Sequence, residues 1–234
     1  ELSSRPDGAP GLNLALRPAR STSLEIGVKA RPGNGPGRLE AALFHTRTRD
    51  EIVTQANVGG RASFHNAGST LRRGFELSWT DRLSAELGVR LTLSRLDAFF
   101  RQGFMTCAAA PCPVPDLEIP AGNAIPGVAR TAVSAALDWT PPQGWRAGLE
   151  LRHLGRVPVD DRNSDHAPAY TVAGAYLGHL QRRGAWTLQA FARVDNLFDR
   201  RHAGSVIVNE GNARYFEPAP GRSWSAGLSA TLGF

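Results

Sequence analysis

The residues with chemical reach in this sequence do not form a catalytic set. Six histidines, His45, His65, His153, His166, His179 and His202, are dispersed along the chain. No serine near them sits in the glycine-flanked turn that would expose a hydrolytic nucleophile. The densest group of oxygen donors is Asp160, Asp161 and Asp165 with His166. Such a group suits a hard cation, and an ordinary solvated loop is the simpler reading. Cys107 and Cys112 lie five residues apart in a segment rich in proline and alanine. That spacing suits a small loop-closing disulfide and an oxidising compartment, with two free thiols as the alternative. No catalytic residue, resident metal or cofactor is expected.

Charge narrows the partners. The chain of 234 residues carries a formal net charge of +6. Lys29 is its single lysine, so 26 of the 27 basic residues are arginine. The arginines are spread along the whole chain, with no run of five basic residues. The spread reads as compositional bias and argues against nucleic-acid binding. Mean hydropathy is -0.26, and no stretch approaches the roughly 18 to 20 apolar residues of a spanning helix. That excludes a helical membrane protein. It leaves a membrane β-barrel open, because barrel strands alternate apolar and polar residues and average out as mildly polar.

The elements that must position these residues are strands. Alternation of period two runs through 23–31, 83–94, 145–152, 186–195 and 224–234, and less regularly through 37–48, 69–80, 128–140 and 168–180. The cleanest case sets Trp224, Ala226, Leu228, Ala230, Leu232 and Phe234 against Ser223, Ser225, Gly227, Ser229 and Thr231. This predicts nine strands of about 10 to 14 residues, longer than the usual 5 to 6 of soluble sheets. Connection lengths alternate as well. Short turns fall at Pro32–Pro36, Asp81-Arg82, Pro141–Gly144 and Gln181–Gly184. Long loops fall at 50–67, 100–127, 156–167 and 199–221. Short turns on one side and long loops on the other are the habit of outer-membrane barrels.

Aromatic placement agrees with a membrane interface. Trp79, Trp139, Trp145 and Trp186 fall beside the short turns, and Trp224 falls at the long-loop end of the last strand. The last strand ends on Phe234 and resembles the insertion signal of bacterial outer-membrane proteins. This orientation puts the short turns in the periplasm and the long loops outside. Nine strands cannot close a barrel, since bacterial single-chain barrels use an even number and leave no edge. Residues 1–20 read as loop, so the missing strands are expected before them, and residues 1–234 are read as one incomplete domain.

The closing segment carries a resemblance. Arg193-Val194-Asp195-Asn196-Leu197-Phe198-Asp199-Arg200-Arg201, Gly204-Ser205, and Arg214-Tyr215-Phe216-Glu217-Pro218-Ala219-Pro220-Gly221-Arg222 resemble the end of TonB-dependent outer-membrane receptors. Earlier landmarks follow in the family's order: residues 23–29, Asn66-Ala67-Gly68, Arg73-Gly74-Phe75-Glu76 and Ile125-Pro126-Gly127. Within the motif, Asn196, Leu197, Phe198, Asp199, Pro218, Pro220, Gly221, Arg222 and Phe234 are read as structural. The asparagine and aspartates bond their own backbone as the strand ends, and the prolines stiffen the return.

The resemblance implies an all-β antiparallel transmembrane barrel of about 22 strands, of which this chain would supply the last nine without the plug domain. It implies active transport of ferric siderophores. Another scarce nutrient such as pyrroloquinoline quinone or vitamin B12 is the alternative, and outside the class a passive porin. The implied partners are TonB, the plug of the same protein, outer-membrane lipid with lipopolysaccharide, and the ferric chelate itself. Arg90, Arg95, Arg152 and Arg193, with Glu76 and Glu150, are expected to face the lumen, where arginine could grip a chelate's oxygens. Asn209, Glu210, Asn212, Arg214 and Tyr215 are the polar candidates of the last loop.

Overall fold

The period-two pattern folds into a strand at every one of the nine expected places. The computed structural model describes residues 11–31, 35–108 and 114–233. In chain order the strands are β1 (Arg20–Ala30), β2 (Arg38–Arg49), β3 (Ile52–Val58), β4 (Arg61–Asn66), β5 (Ser69–Arg82) and β6 (Leu87–Phe100). They continue with β7 (Phe104–Thr106), β8 (Leu117–Ile119), β9 (Thr131–Trp139), β10 (Gly144–Leu154), β11 (Val157–Pro158) and β12 (His166–Ala167). The chain closes with β13 (Tyr170–Arg183), β14 (Trp186–Asp195), β15 (Ala203–Val206), β16 (Phe216–Pro218) and β17 (Ser223–Leu232). Phe234 lies outside the described residues, as do positions 32–34 of the first turn.

Nine of these strands form one antiparallel sheet in the order β1-β2-β5-β6-β9-β10-β13-β14-β17. Each wall strand between the edge strands β1 and β17 thus pairs with the wall strands before and after it. Long connections occur only at one end of the sheet, where each carries a two-stranded hairpin: β3-β4, β7-β8, β11-β12 and β15-β16. These hairpins were not legible in the sequence. The turn between β5 and β6 also differs from expectation, since it occupies residues 83–86 and the strand starts at Leu87. Ser84 explains the shift: its Oγ accepts the N–H groups of Glu86 and Leu87 at 3.2 and 3.1 Å. The apolar alternation continues straight through this turn and conceals it.

Cross-strand register sorts the side chains onto two faces. One face carries rows such as Ile26, Leu43 and Phe75, or Leu137, Leu149 and Ala175. Trp79, Trp139, Trp145 and Trp186 all lie on this apolar face near the short turns. The opposite face carries Glu76 with Ser94, Thr92 with Ser134, and Glu150 with Gly174. The apolar side chains have no protein layer over them: Ile26 is 73% exposed and Leu228 89%. Two glycines meet the close approaches of this sheet. A Cβ on Gly74 would lie 1.9 Å from the Arg95 carbonyl oxygen, and one on Gly148 would lie 2.1 Å from the Tyr176 ring.

Among the described residues, a conventional core lies at the long-loop end. Ala67, Ala98, Phe100, Ile119 and Ile125 are buried together, with Phe104, Leu117 and Val128 packed around them. Phe100 pairs with Thr70 and Ala98 with Arg72, on the polar face of the sheet. The loops therefore fold over the polar face and cap it.

Candidate functional site

Beneath that cap the polar face forms a trough. Two adjoining cavities of about 900 and 690 Å³ lie along it, and Thr92, Ser134, Arg152 and Tyr170 line both. Arg90 donates to Asp138 at 3.0 Å, and Tyr176 donates to the other Asp138 oxygen at 3.3 Å. Arg193 bridges Glu150 and Asp195 at 2.7 and 2.9 Å. Three of the four expected luminal arginines thus share one face. Two of them are engaged by carboxylates, whereas Arg152 is an exposed wall residue of both cavities. An anion with several oxygens would meet Arg152 first, and exchange with the carboxylates would bring in Arg90 and Arg193.

Arg95 is a correction. It pairs with Phe75 and Thr131 on the apolar face, and its guanidinium donates to the Thr131 Oγ1 at 3.1 Å. Side chains alternate strictly along a strand, so Arg95 must oppose Arg90, five residues earlier. It does not line the trough.

The mouth of the trough contains two residues that sequence reasoning missed. Tyr170 and His202 stack with ring centroids 4.1 Å apart, and both line the smaller cavity. They are 32 positions apart and meet only because β13 and the last loop return to the same end. No local pattern marks such a pair.

The cap itself is knotted at Asn209. Its Nδ2 donates to the Thr54 carbonyl at 2.6 Å and to Asp161 Oδ2 at 3.0 Å, while its Oδ1 accepts the Asp161 N–H at 3.1 Å. Its backbone carbonyl accepts the Asn57 N–H at 3.0 Å. Asn123 donates to the Asp161 carbonyl at 2.8 Å, and Asn163 bonds both the N–H and the carbonyl of Ala124. All four long loops therefore meet in one hydrogen-bonded junction. The side chain of Asn209, expected as a substrate contact, is committed to this junction. Glu210 beside it is buried, Tyr215 is buried edge-on against Phe216, and Arg214 is exposed at the loop surface.

Electrostatics at the junction follow from burial. Burial pushes Asp161 up to about 7; the Asn209 amide opposes the shift and neighbouring Asp160 adds to it. Asp161 Oδ1 is buried without a hydrogen bond among the described residues. In hairpin β3-β4, burial holds His65 down at about 4, with Phe104 edge-on at 5.3 Å. Burial also works on Glu51, but hydrogen bonds from Arg72 and Thr70 outweigh it and leave that carboxyl below its ordinary value. The other acids of the suspected cation loop turn to separate partners. Asp160 caps the Ser164 N–H at 2.8 Å, and Asp165 accepts the His166 N–H at 2.7 Å. Among the described residues no three metal-ligating side chains converge. Cys107 is disulfide-bonded; Cys112, expected as its partner, lies outside the described residues.

The closing motif does structural work. Asn196 and Asp199 adopt positive φ angles of 50° and 51°, a conformation that asparagine and aspartate tolerate best among residues with a Cβ. Asn196 bonds both the N–H and the carbonyl of Arg200 at 2.8 and 2.9 Å. Asp199 accepts the Arg222 N–H at 2.8 Å. The end of β14 is thereby tied to the start of β17. A Cβ at Gly221 would lie 2.9 Å from Asp199 Oδ1, so the glycine keeps that contact open.

Residues 2–197 match the family described as TonB dependent receptor-like, beta-barrel. Among solved structures, the chain is similar to the siderophore receptor PiuA of Acinetobacter baumannii, with a TM-score of 0.69 and 22% identity over 89% of this chain. It is similar to the ferric yersiniabactin uptake receptor FyuA of Yersinia pestis, with 0.66 and 22% over 92%. It is also similar to the ferric-catecholate import receptor Fiu of E. coli K12, with 0.65 and 19% over 94%. The chain spans 28%, 30% and 28% of those three proteins.

Proposed function

Because the chain belongs to the TonB-dependent receptor-like β-barrel family, we propose that it is the C-terminal part of the wall of an outer-membrane importer of ferric siderophores. The arginine-lined trough under a knotted loop cap carries this reading. It offers an oxygen-rich ferric chelate a polar wall on one side and a hydrogen-bonded canopy on the other. The names of the similar receptors, which specify ferric yersiniabactin, a ferric catecholate and siderophores, support the same cargo class. The apolar face with its tryptophan row would meet hydrocarbon, with long loops outside and short turns in the periplasm.

In this reading the chain breaks no bond in its cargo. Arg152, Arg90 and Arg193 hold the chelate's anionic oxygens, and the loop cap delays its escape. TonB acts from the periplasm on a plug domain, with which this wall segment would share the lumen. The two open edges of the sheet, β1 and β17, would pair with the rest of the barrel, since an unpaired edge in hydrocarbon costs several kcal/mol per orphaned group.

The test is uptake by the full-length receptor in a strain lacking its own siderophore receptors. Radiolabelled iron should enter with at least one ferric chelate, and deletion of TonB should abolish entry. A panel including vitamin B12 and pyrroloquinoline quinone separates the other cargoes. Entry that continues without TonB would indicate a passive pore and overturn the proposal.

A further inference from the structure

The strand pairs of the wall have two kinds of connection. Short turns join β1-β2, β5-β6, β9-β10 and β13-β14, and a turn of defined length fixes the pairing. Long connections join β2-β5, β6-β9, β10-β13 and β14-β17. A long loop takes up two residues of slack at little cost. A slip of one residue would turn the apolar side chains inward, but a slip of two keeps every side chain on its own face. The alternation that places these strands therefore does not fix the register of the four long-loop pairs.

Three of the four carry the same arrangement on the polar face. Phe44 is directly opposite Gly74 in β2-β5, Tyr176 opposite Gly148 in β10-β13, and Phe191 opposite Gly227 in β14-β17. In each pair the ring leans across the ladder onto the glycine. A Cβ on Gly74 would lie 2.9 Å from Phe44 Cζ, one on Gly227 would lie 2.5 Å from Phe191 Cε1, and one on Gly148 would fall against the Tyr176 ring. Phe191 shows that the lean is directed. It has a glycine opposite it on both sides, Gly178 on β13 and Gly227 on β17. A Cβ at Gly178 would meet the Ala190 carbonyl and the Phe191 Cβ, with no ring atom within 4 Å. Among the described residues no ring lies over a glycine in a short-turn pair. The fourth long-loop pair, β6-β9, has a charged counterpart on the same face. Arg90 of β6 and Asp138 of β9 form an ion pair at 3.0 Å, and Tyr176 donates to the same Asp138.

We propose that the three aromatic–glycine pairs are register locks for wall strands whose connections are too long to set register. A slip of two residues would bring Phe44 opposite Arg72 or Glu76, Tyr176 opposite Arg146 or Glu150, and Phe191 opposite Ser225 or Ser229. Each of these residues has a Cβ where the ring now lies, so a slipped ring loses its seat. The locks act on assembly of the wall and are independent of the cargo.

The test uses the full-length receptor in outer membranes, with cysteine pairs oxidised across β14-β17. Residues directly opposite each other can form a disulfide. Diagonal neighbours, about 7 Å apart, exceed the roughly 4 Å between Cβ atoms that the bond needs. Ala192→Cys/Ala226→Cys reports the native register. Ala190→Cys/Ala226→Cys and Ala192→Cys/Leu228→Cys report the two slips by two residues. Across the short turn, Leu177→Cys/Ala192→Cys reports native pairing of β13-β14, and Ala175→Cys/Ala192→Cys and Leu177→Cys/Val194→Cys report its slips. Phe191→Ala should raise slipped cross-linking across β14-β17 about fivefold, the factor that a strong cross-strand pair supplies. Its β13-β14 pairing should stay native. Phe191→Tyr should retain the native register, and Gly227→Ala should slip as Phe191→Ala does. The double variant should slip no more than either single one. Heat-modifiable migration confirms a closed barrel, and Phe191→Leu carries the test if Phe191→Ala does not assemble. Unchanged register across β14-β17 would overturn the proposal. So would equal slipping of β13-β14, which would make the ring a general support of its strand.

Discussion

Phe100 and Ile26 both belong to wall strands, yet one is fully buried and the other is 73% exposed. The difference separates two regions built for different solvents. At the long-loop end, Phe100, Ile119 and Ile125 bury one another as a water-soluble core does. Along the wall, Ile26, Leu149 and Leu228 have only sheet partners such as Leu43, Leu137 and Ala190 beside them and remain open on the outside. The loop core is completed by protein, and the wall, in the proposed membrane setting, by lipid. Polar groups divide in the same way. The wall satisfies its backbone through the sheet ladder, whereas the loops depend on side-chain amides such as Asn209, Asn123 and Asn163.

The strongest test of that contrast is a truncation in the loop core. Phe100→Ala should remove about 3–5 kcal/mol from loop packing and expose the 100–127 loop to protease. The wall should retain heat-modifiable migration, because the lost contacts are confined to the cap. Simultaneous loss of wall and loops would merge the two regions. Next in size is a charge on the lipid side. Leu149→Arg lies midway along β10 on the apolar face and should cost about 2–4 kcal/mol in bilayer refolding. Ser94→Arg, on the polar face opposite Glu76, should be close to neutral. Equal costs would show that the two faces do not meet different solvents.

A smaller effect is expected at the loop junction. Asn209→Ala removes the partner of Asp161 Oδ2 and of the Thr54 carbonyl. Leaving buried groups unsatisfied should cost about 1–3 kcal/mol. Hydrogen exchange should quicken at the amides of Asn57 and Asp161, which bond the Asn209 carbonyls, and stay unchanged along β13 and β14.

The wall was legible because its signal is local. Alternation at Trp186–Val194 or Trp224–Leu232 names both the strand and its outward face, since lipid on one side enforces a strict period. The motif from Asn196 to Arg222 was legible because turn chemistry depends on a few residues close in sequence. Arg95 obeys the same period: five residues from Arg90, it points outward, although its chemistry alone suggests the lumen. The hairpins failed for a different reason. Strands such as Phe104–Thr106 and Leu117–Ile119 are too short for a period to emerge. The Asn209 junction joins residues 48 and 155 positions apart, and nothing local specifies such a meeting. Its one sequence trace is compositional: Asn163 and Asn209 hold positive φ angles that favour asparagine.

The loop cap should also respond to pH in two opposite senses, which distinguishes its parts. For Asp161, the folded value of about 7 lies above the ordinary 3.8, so the closed junction binds the proton more tightly than the open one. Its contribution is complete below about pH 4 and is lost as pH rises through 7. Between pH 6 and 8 the closing equilibrium should fall by about tenfold, as expected for a single group titrating near 7. For His65, the folded value of about 4 lies below the ordinary 6.5. The neutral ring is favoured on burial, so stability is complete above 6.5 and is lost as pH falls towards 4. Exchange protection, corrected for intrinsic rates, should therefore decline at the Asp161 amide with rising pH and in the β3-β4 hairpin with falling pH. Asp161→Asn should flatten the first trend without touching the second, and His65→Phe should do the reverse. Parallel trends at both places would mean that the cap opens as one unit, with the Asn209 junction and the Phe100 core inseparable.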